Sequence, residues 1–439
     1  MRNSNIYNTK GVAIGPAPNT GYHFMDYTGG LNDDTANYPL NNDLLMDLSR
    51  VQSVSYNFNV QRENITQLGK KGTVKRAVIN SPTVSLDIVH LLGGLKNEAR
   101  MGLNVNYPQY DYPNSGAAYY EDNFNVNLLQ RLDGRELDQP LIEPFWPHPN
   151  YQDRRNIFVG VSEEGEDLKG IEDPAKLGVI GFGNCYLRAY NLQASVGQIP
   201  TVLTNWTCEN IEYYDNGSGQ VIPTVDAKTR EHLDNIHFNM PSFEVYDETD
   251  LSVISPGNIT VEISGVDNSD ILNFGIDAIN TNIQSFDLGF SLEREPLDLL
   301  EYKLPVDRQI NYPIIADVTL NYLVGETETG SFFDALNEDK RYDVSIKMFD
   351  GCTPRQIVSR FDLKNGLLES SDRSSQVRGF ENGKLTFTAE INPEDLSQGL
   401  FISGDLNIHK IGNNLLTPGG LYLTDDSGNR FVVDYPPLF

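Results

Sequence analysis

Cysteine is nearly absent. Cys185, Cys208 and Cys352 are odd in number, far apart and without a Cys-x-x-Cys pair, which excludes a disulfide framework and a thiolate zinc site of the usual spacing. Small buried thiols in a reducing compartment are expected instead. Histidine is also scarce, at six in 439 residues. His232 and His237 miss the i, i+4 spacing that places two ligands on one helical face, and His23, His90, His148 and His409 stand alone. Neither a metal centre nor a catalytic triad can be built from them. No stretch approaches eighteen apolar residues, and the opening MRNSNIYNTKGVAIG has no apolar run behind its basic residue. A soluble chain with neither a membrane span nor a secretory leader is therefore expected. The sequons at Asn64 and Asn258 are read as chance. Cations are outnumbered: 33 Lys and Arg stand against 61 Asp and Glu, for a net charge of −28. That balance opposes gripping nucleic acid, which is driven by basic groups displacing counterions from phosphates. It leaves room for touching DNA without holding it.

Motifs for chemistry are missing too. Gly178, Gly181 and Gly183 lack dinucleotide-fingerprint spacing and precede no helical pattern, so they are read as turn glycines feeding a strand. Asp267, Asn268 and Asp270 lack the remaining oxygen ligands and closing Glu of a calcium loop. Carboxylates are plentiful, yet nothing selects a hydrolytic pair. No enzyme, cofactor or metal is expected.

What is present is β-forming composition. Tyr (22) and Phe (20) are abundant, 37 Gly and 23 Pro punctuate the chain, and helical runs of Ala, Leu, Glu and Lys are lacking. An all-β fold with few short helices follows, the best helical segments being 128–132 and 334–339.

The strongest signal is an internal repeat. VQSVSYNFNVQRENITQLGKKGTVKRAVINSP from residue 51 matches IQSFDLGFSLEREPLDLLEYKLPVDRQINYP from residue 283. Gln52, Ser53, Phe58, Arg62, Glu63, Leu68, Lys71, Val74, Arg76, Asn80 and Pro82 meet Gln284, Ser285, Phe290, Arg294, Glu295, Leu300, Lys303, Val306, Arg308, Asn311 and Pro313. Strand phase repeats with the letters. Val54, Tyr56, Phe58 and Val60 alternate with Ser53, Ser55, Asn57 and Asn59, as Phe286, Leu288, Phe290 and Leu292 do with Ser285, Asp287, Ser291 and Glu293. Each reads as a half-buried strand. After the shared proline, Val84, Leu86 and Ile88 are aligned with Ile314, Ala316 and Val318, so that Asp87 and Asp317 share the polar face. Downstream, 156–161 corresponds in order to 342–349, and the segments after them follow in the same sequence.

This divides the chain into an arm at 1–50, a first module at 51–211 with a Tyr-, Pro- and Asn-rich insertion near 103–155, and a crossover at 212–282 with one strand at NITVEISG. A second module at 283–391 and a closing segment at 392–439 follow, the latter with a hairpin turning at Asp426, Ser427 and Gly428. In each module a charged segment separates the paired strands. It opens with Arg62-Glu63 or Arg294-Glu295 and ends with Lys71 and Arg76 or Lys303 and Arg308; a solvated loop would have such charges, but their duplication favours a hairpin arm that contacts a neighbouring subunit.

The QS-x-x-x-x-F-x-x-x-RE strand, Asn-Ser-Pro-Thr-Val-Ser-Leu-Asp, Leu-Lys-Asn-Glu-Ala-Arg at 95–100 and Tyr-Leu-Arg-Ala-Tyr-Asn-Leu-Gln-Ala-Ser-Val-Gly at 186–197 resemble the tail tube proteins of long-tailed non-contractile phages, in the form with two tube modules fused. The resemblance implies β-sandwich or half-barrel modules whose inner sheets join between subunits around a channel, with the hairpin arms reaching the next ring. It also implies homotrimeric rings of pseudo-sixfold symmetry, the virion as location, and contacts with tape-measure, tail-terminator and distal tail proteins. On that basis Ser53, Ser55, Asn57, Asn59, Asp87, Ser285, Asp287, Ser291, Glu293 and Asp317 are expected to face the lumen. The competing readings are another ring-forming tail component, distal or tail-completion, and a carbohydrate-binding or hydrolytic β-sandwich using Trp146 in the insertion.

Overall fold

Alternation with a period of two dictates the core. Val84, Leu86 and Ile88 are buried while Ser85 and Asp87 are not, and the same split separates Ala316, Val318 and Leu320 from Asp317 and Thr319. The computed structural model describes residues 7–17, 45–60, 62–78, 83–103, 105, 154–163, 177–232, 237–241, 254–265, 282–323, 340–349, 357–374, 382–391 and 398–404. The short helices expected at 128–132 and 334–339, the C-terminal hairpin, the calcium-loop residues and Trp146 lie outside these.

The described residues form an all-β protein. In chain order the strands begin with β1 (Tyr7–Pro16), β2 (Met46–Leu48), β3 (Val51–Asn59), β4 (Arg62–Ile65), β5 (Lys75–Val78) and β6 (Thr83–Leu91). A short helix α1 (Lys96–Arg100) precedes β7 (Arg154–Glu163), β8 (Gly178–Ser195), β9 (Thr201–Cys208), β10 (Asn210–Tyr214), β11 (Ser218–Val221) and β12 (His237–Asn239). The chain continues with β13 (Ile259–Gly265), β14 (Asn282–Ser291), β15 (Arg294–Leu297), β16 (Asp307–Ile310) and β17 (Ile314–Leu323). It ends with β18 (Tyr342–Phe349), β19 (Ile357–Ser374), β20 (Asn382–Ile391) and β21 (Gly399–Gly404).

Pairing is antiparallel, and its order recurs. One run of neighbours is β3-β6-β9-β8, and it continues into β14-β17-β20-β19. The early residues of the two 18-residue strands leave this run: β8 also pairs β7 and β10, as β19 pairs β18 and β21. Beyond them β1 flanks β7 and β13 flanks β18. Irregularities recur as well. Gln52 and Gln284, both from the QS string, each sit where the register of the opening strand pair slips, the behaviour of a β-bulge. Arg188 and Glu369 mark the matching slips in β8 and β19.

Two asparagines make the third match. Asn184 (φ 52) and Asn365 (φ 58) take the left-handed conformation within β8 and β19, which Asn tolerates better than most residues. Their backbone N–H groups donate to Asn156 Oδ1 at 3.4 Å and Asp343 Oδ1 at 2.7 Å. Near these residues each long strand changes neighbours, β8 from β7 and β10 to β9 and β14, and β19 from β18 and β21 to β20.

Three expectations need correction. The pairing sets Ser55 opposite Asp87 and Asp287 opposite Thr319, so the structural counterpart of Asp87 is Thr319, two residues beyond Asp317. The parity, and hence the shared face, is unchanged. Gly178, Gly181 and Gly183 lie within β8 and not in a turn. A Cβ on Gly183 would sit 2.0 Å from Pro223 O, so close backbone packing explains that glycine. Finally, Cys185 and Cys208 are not free thiols: antiparallel pairing of β8 and β9 sets them opposite each other, Cα atoms 3.9 Å apart, as a disulfide.

The core lies behind the polar face of the eight-strand run. Trp206 and Phe387 hold matching places on β9 and β20, opposite Leu86 and Val318, and both are buried. Burying a side chain of this kind contributes roughly 1.5–3 kcal/mol. Helix α1 adds Glu98 to this interior, where it accepts from Tyr190 Oη at 3.2 Å and pairs with His90 at 3.1 Å.

Candidate assembly surfaces

The run from β3 to β19 presents one polar face. Ser53, Ser55, Asn57, Asn59, Ser291 and Glu293 are exposed on it or at its margin, and Asp87, Ser285, Asp287 and Asp317 are half-buried. All ten residues assigned to a lumen therefore lie away from the core. Amide-to-carboxylate bonds knit neighbouring strands: Asn205 Nδ2 donates to Asp87 Oδ1 at 2.7 Å, and Asn191 Nδ2 and Gln193 Nε2 donate to the two oxygens of Asp287 at 2.7 and 3.0 Å. The last two join the halves, since β8 belongs to one and β14 to the other. Asn321 donates to Ser285 Oγ at 2.9 Å, and Thr319 and Thr386 bond at 3.2 Å.

Asp317 stands near Asp287, and burial, then that like charge, raise it above the ordinary carboxylate range. A carboxyl whose folded pKa is raised burdens the fold above that pKa and ceases to do so as pH falls through it. Asp317→Asn is therefore expected to raise the melting temperature at pH 7, with the gain vanishing below about pH 4, the usual carboxylate pKa. Melting curves across that range check it.

Both charged segments form hairpins separate from the main sheet, β4-β5 and β15-β16. They differ in what they touch. The second arm is anchored within the chain. Arg308 Nε lies 3.3 Å from Glu209 Oε1, and both Arg308 and Arg294 sit over the Tyr186 ring. Arg294 also donates to Leu187 O, while Lys303 donates through Nζ to Thr229 O and through its backbone to Ala227 O. Leu304 packs with Val225 and Ala227, and Glu295 stays exposed.

The first arm has no such anchorage among the described residues. Arg62, Glu63, Lys71 and Arg76 are exposed, and the bonds that hold this hairpin are its own, such as Arg76 Nε to Asn64 Oδ1 at 3.0 Å. Leu68 at its tip is fully exposed, as is Leu300 at the tip of the second arm.

Sequence reasoning missed the aromatic edge. Tyr56 and Phe58 were expected inside, yet they are 40% and 60% exposed, whereas their counterparts Leu288 and Phe290 are 1% and 3% exposed. The cause is position in the sheet. β14 lies between β17 and β8, and Tyr190 of β8 stacks on Phe290 at 5.5 Å, while among the described residues β3 pairs only with β6. Tyr213 extends the patch, its hydroxyl 3.4 Å from that of Tyr56. Glu209 was also missed; burial raises its pKa, against the Asn184 amide and the Arg308 guanidinium. His232 pairs with Glu212 at 2.8 Å, while His237 lies in β12 and bonds Gly219 O. No cluster of three metal-ligating groups occurs among the described residues.

Two of the solved structures that share a similarity with this chain are these. One is described as the anti-feeding prophage baseplate, with 12% identity, a TM-score of 0.22, and coverage of 34% of this chain and 93% of that one. The other is described as an Hcp protein, with 10% identity, a TM-score of 0.21, and coverage of 32% and 96%. Neither a family model nor a curated protein matches the sequence.

Proposed function

We propose that this chain is a structural subunit of a phage-type tail tube, in which rings of duplicated modules stack around a polar channel that conducts DNA. The observation that carries this reading is the recurrent strand order, 3-6-9-8 followed by 14-17-20-19, with the halves joined by ordinary pairing of β8 with β14. A repeat joined edge to edge extends by the same contact between chains, and such a heterologous contact closes into a ring when the rotation allows. Closure also consumes strand edges that would otherwise aggregate.

The tube-protein resemblance sets six modules in a ring, hence a trimer. About twenty-four strands, eight from each chain, would then line the channel; barrels of 16–18 strands already enclose water. The knitted polar face suits that lining. Three chains at −28 each carry roughly −84, and anionic walls keep a polyanion in solvent instead of binding it. On this reading the chain has no catalytic role and belongs to the virion. Its partners are further copies of itself, the tape-measure protein within the lumen, and the terminator and distal tail proteins at the ends.

Negative-stain microscopy of the purified protein tests it. Hollow stacked rings are expected; single rings that never stack would indicate a distal-tail or tail-completion component, and dispersed monomers at high concentration would remove the reading.

A further inference from the structure

Among the described residues the eight-strand run ends in two edges without partners: the side of β3 away from β6, and the side of the later half of β19 away from β20. Within the chain the corresponding edges, on β14 and the later half of β8, are paired to each other. We propose that β3 of one copy pairs antiparallel with residues 370–374 of another copy, in the register that β14 and β8 adopt inside the chain. The proposal rests on the ring reading above and specifies its contact.

The register follows from the shared irregularities. Gln52 and Gln284 fix β3 onto β14, while Asn184 with Arg188 and Asn365 with Glu369 fix β8 onto β19. The internal pairs Asp287 with Gln193, Gly289 with Asn191, and Ser291 with Ala189 then become Ser55 with Ser374, Asn57 with Asp372, and Asn59 with Ser370. Because the bulges coincide, the hydrogen-bonding phase carries over unchanged. The bond from Leu292 N to Arg188 O, 2.6 Å at the end of the internal junction, becomes one from Val60 N to Glu369 O of the second copy. Chemistry agrees with geometry: Asn57 meets Asp372 as the Gln193 amide meets Asp287 inside the chain. The contact also sets a strand beside the exposed Tyr56 and Phe58, as β8 lies beside their buried counterparts on β14.

Cross-linking tests the register. The double variant Asn57→Cys with Asp372→Cys is assembled, oxidised and run on non-reducing gels beside each single variant. Covalent dimers and trimers specific to the double variant are expected. The pair Asn59→Cys with Ser370→Cys reads the same register should the first disturb folding. Tubes without cross-links above the single-variant controls, or stronger cross-linking by the slipped pair Asn57→Cys with Ser370→Cys, would overturn the contact while leaving the ring reading intact. Absence of rings from the unmodified protein would overturn both.

Discussion

A Phe58→Asp chain is expected to fold as the parent does and to stay monomeric at concentrations where the parent assembles. Phe58 is 60% exposed in the single chain, and substitutions at such surface sites usually change stability by no more than about 0.5 kcal/mol. In the assembled state a strand of the second copy would lie beside this side chain, as β8 lies beside Phe290, which is 3% exposed. Losing a well-packed interfacial aromatic typically costs about 2 kcal/mol or more, some 30-fold in each contact, and Asp adds a charge that must be desolvated. A ring multiplies the loss, because every junction carries it. Equal melting curves with assembly abolished in sedimentation are the expected pair of results. Normal assembly by this variant would show that the aromatic edge faces solvent in the particle.

Arg308→Ala acts inside the chain. Glu209 is buried to 1% side-chain exposure and Arg308 to 11%, at 3.3 Å. Removing one partner of a buried pair costs roughly 3–5 kcal/mol, because the remaining charge is stranded. The Asn184 amide still donates to Glu209 at 3.0 Å, and Arg154 still acts on it, so the low end, about 3 kcal/mol, is expected. The pH dependence has a definite sign. Burial already raises the folded pKa of Glu209, and loss of Arg308 raises it further; the defect is therefore greatest at neutral pH and fades as pH falls through that pKa. Adding Glu209→Gln should recover most of the loss by removing the stranded charge. Denaturant melts of the single and double variants at two pH values decide this, and an equal defect at both would show that the arginine acts by packing over Tyr186 alone.

Much of the fold was legible because strand burial has a period of two. The phase of Phe286, Leu288 and Phe290, the polar side of Asp87 and Asp317, and the strand at 259–265 all follow from local alternation. The arms were legible as repeated charge. What escaped depends on pairing between distant residues, which leaves no periodic trace. Tyr56 and Phe58 have the same pattern as Leu288 and Phe290, yet among the described residues only the latter strand lies between two neighbours. Arg308 and Arg76 occupy like places in the repeat, but one meets Glu209 and the other does not. Cys185 and Cys208 are 23 residues apart, with no spacing signature, and only the β8-β9 register brings them together. The β11-β12 hairpin was missed within the crossover because its strands are four and three residues long. Gln52 and Gln284 were visible as identities, but that both mark a bulge becomes apparent only once their strands are paired.

The most direct measurement is a cryo-electron microscopy reconstruction of the purified, assembled protein. Stacked rings are expected in which one sheet runs unbroken through each chain and across the β3 to β19 contact, with Asn57, Asp87, Asp287 and Asp317 lining the lumen. A particle in which those side chains point outward, or in which β3 meets solvent, would contradict that expectation.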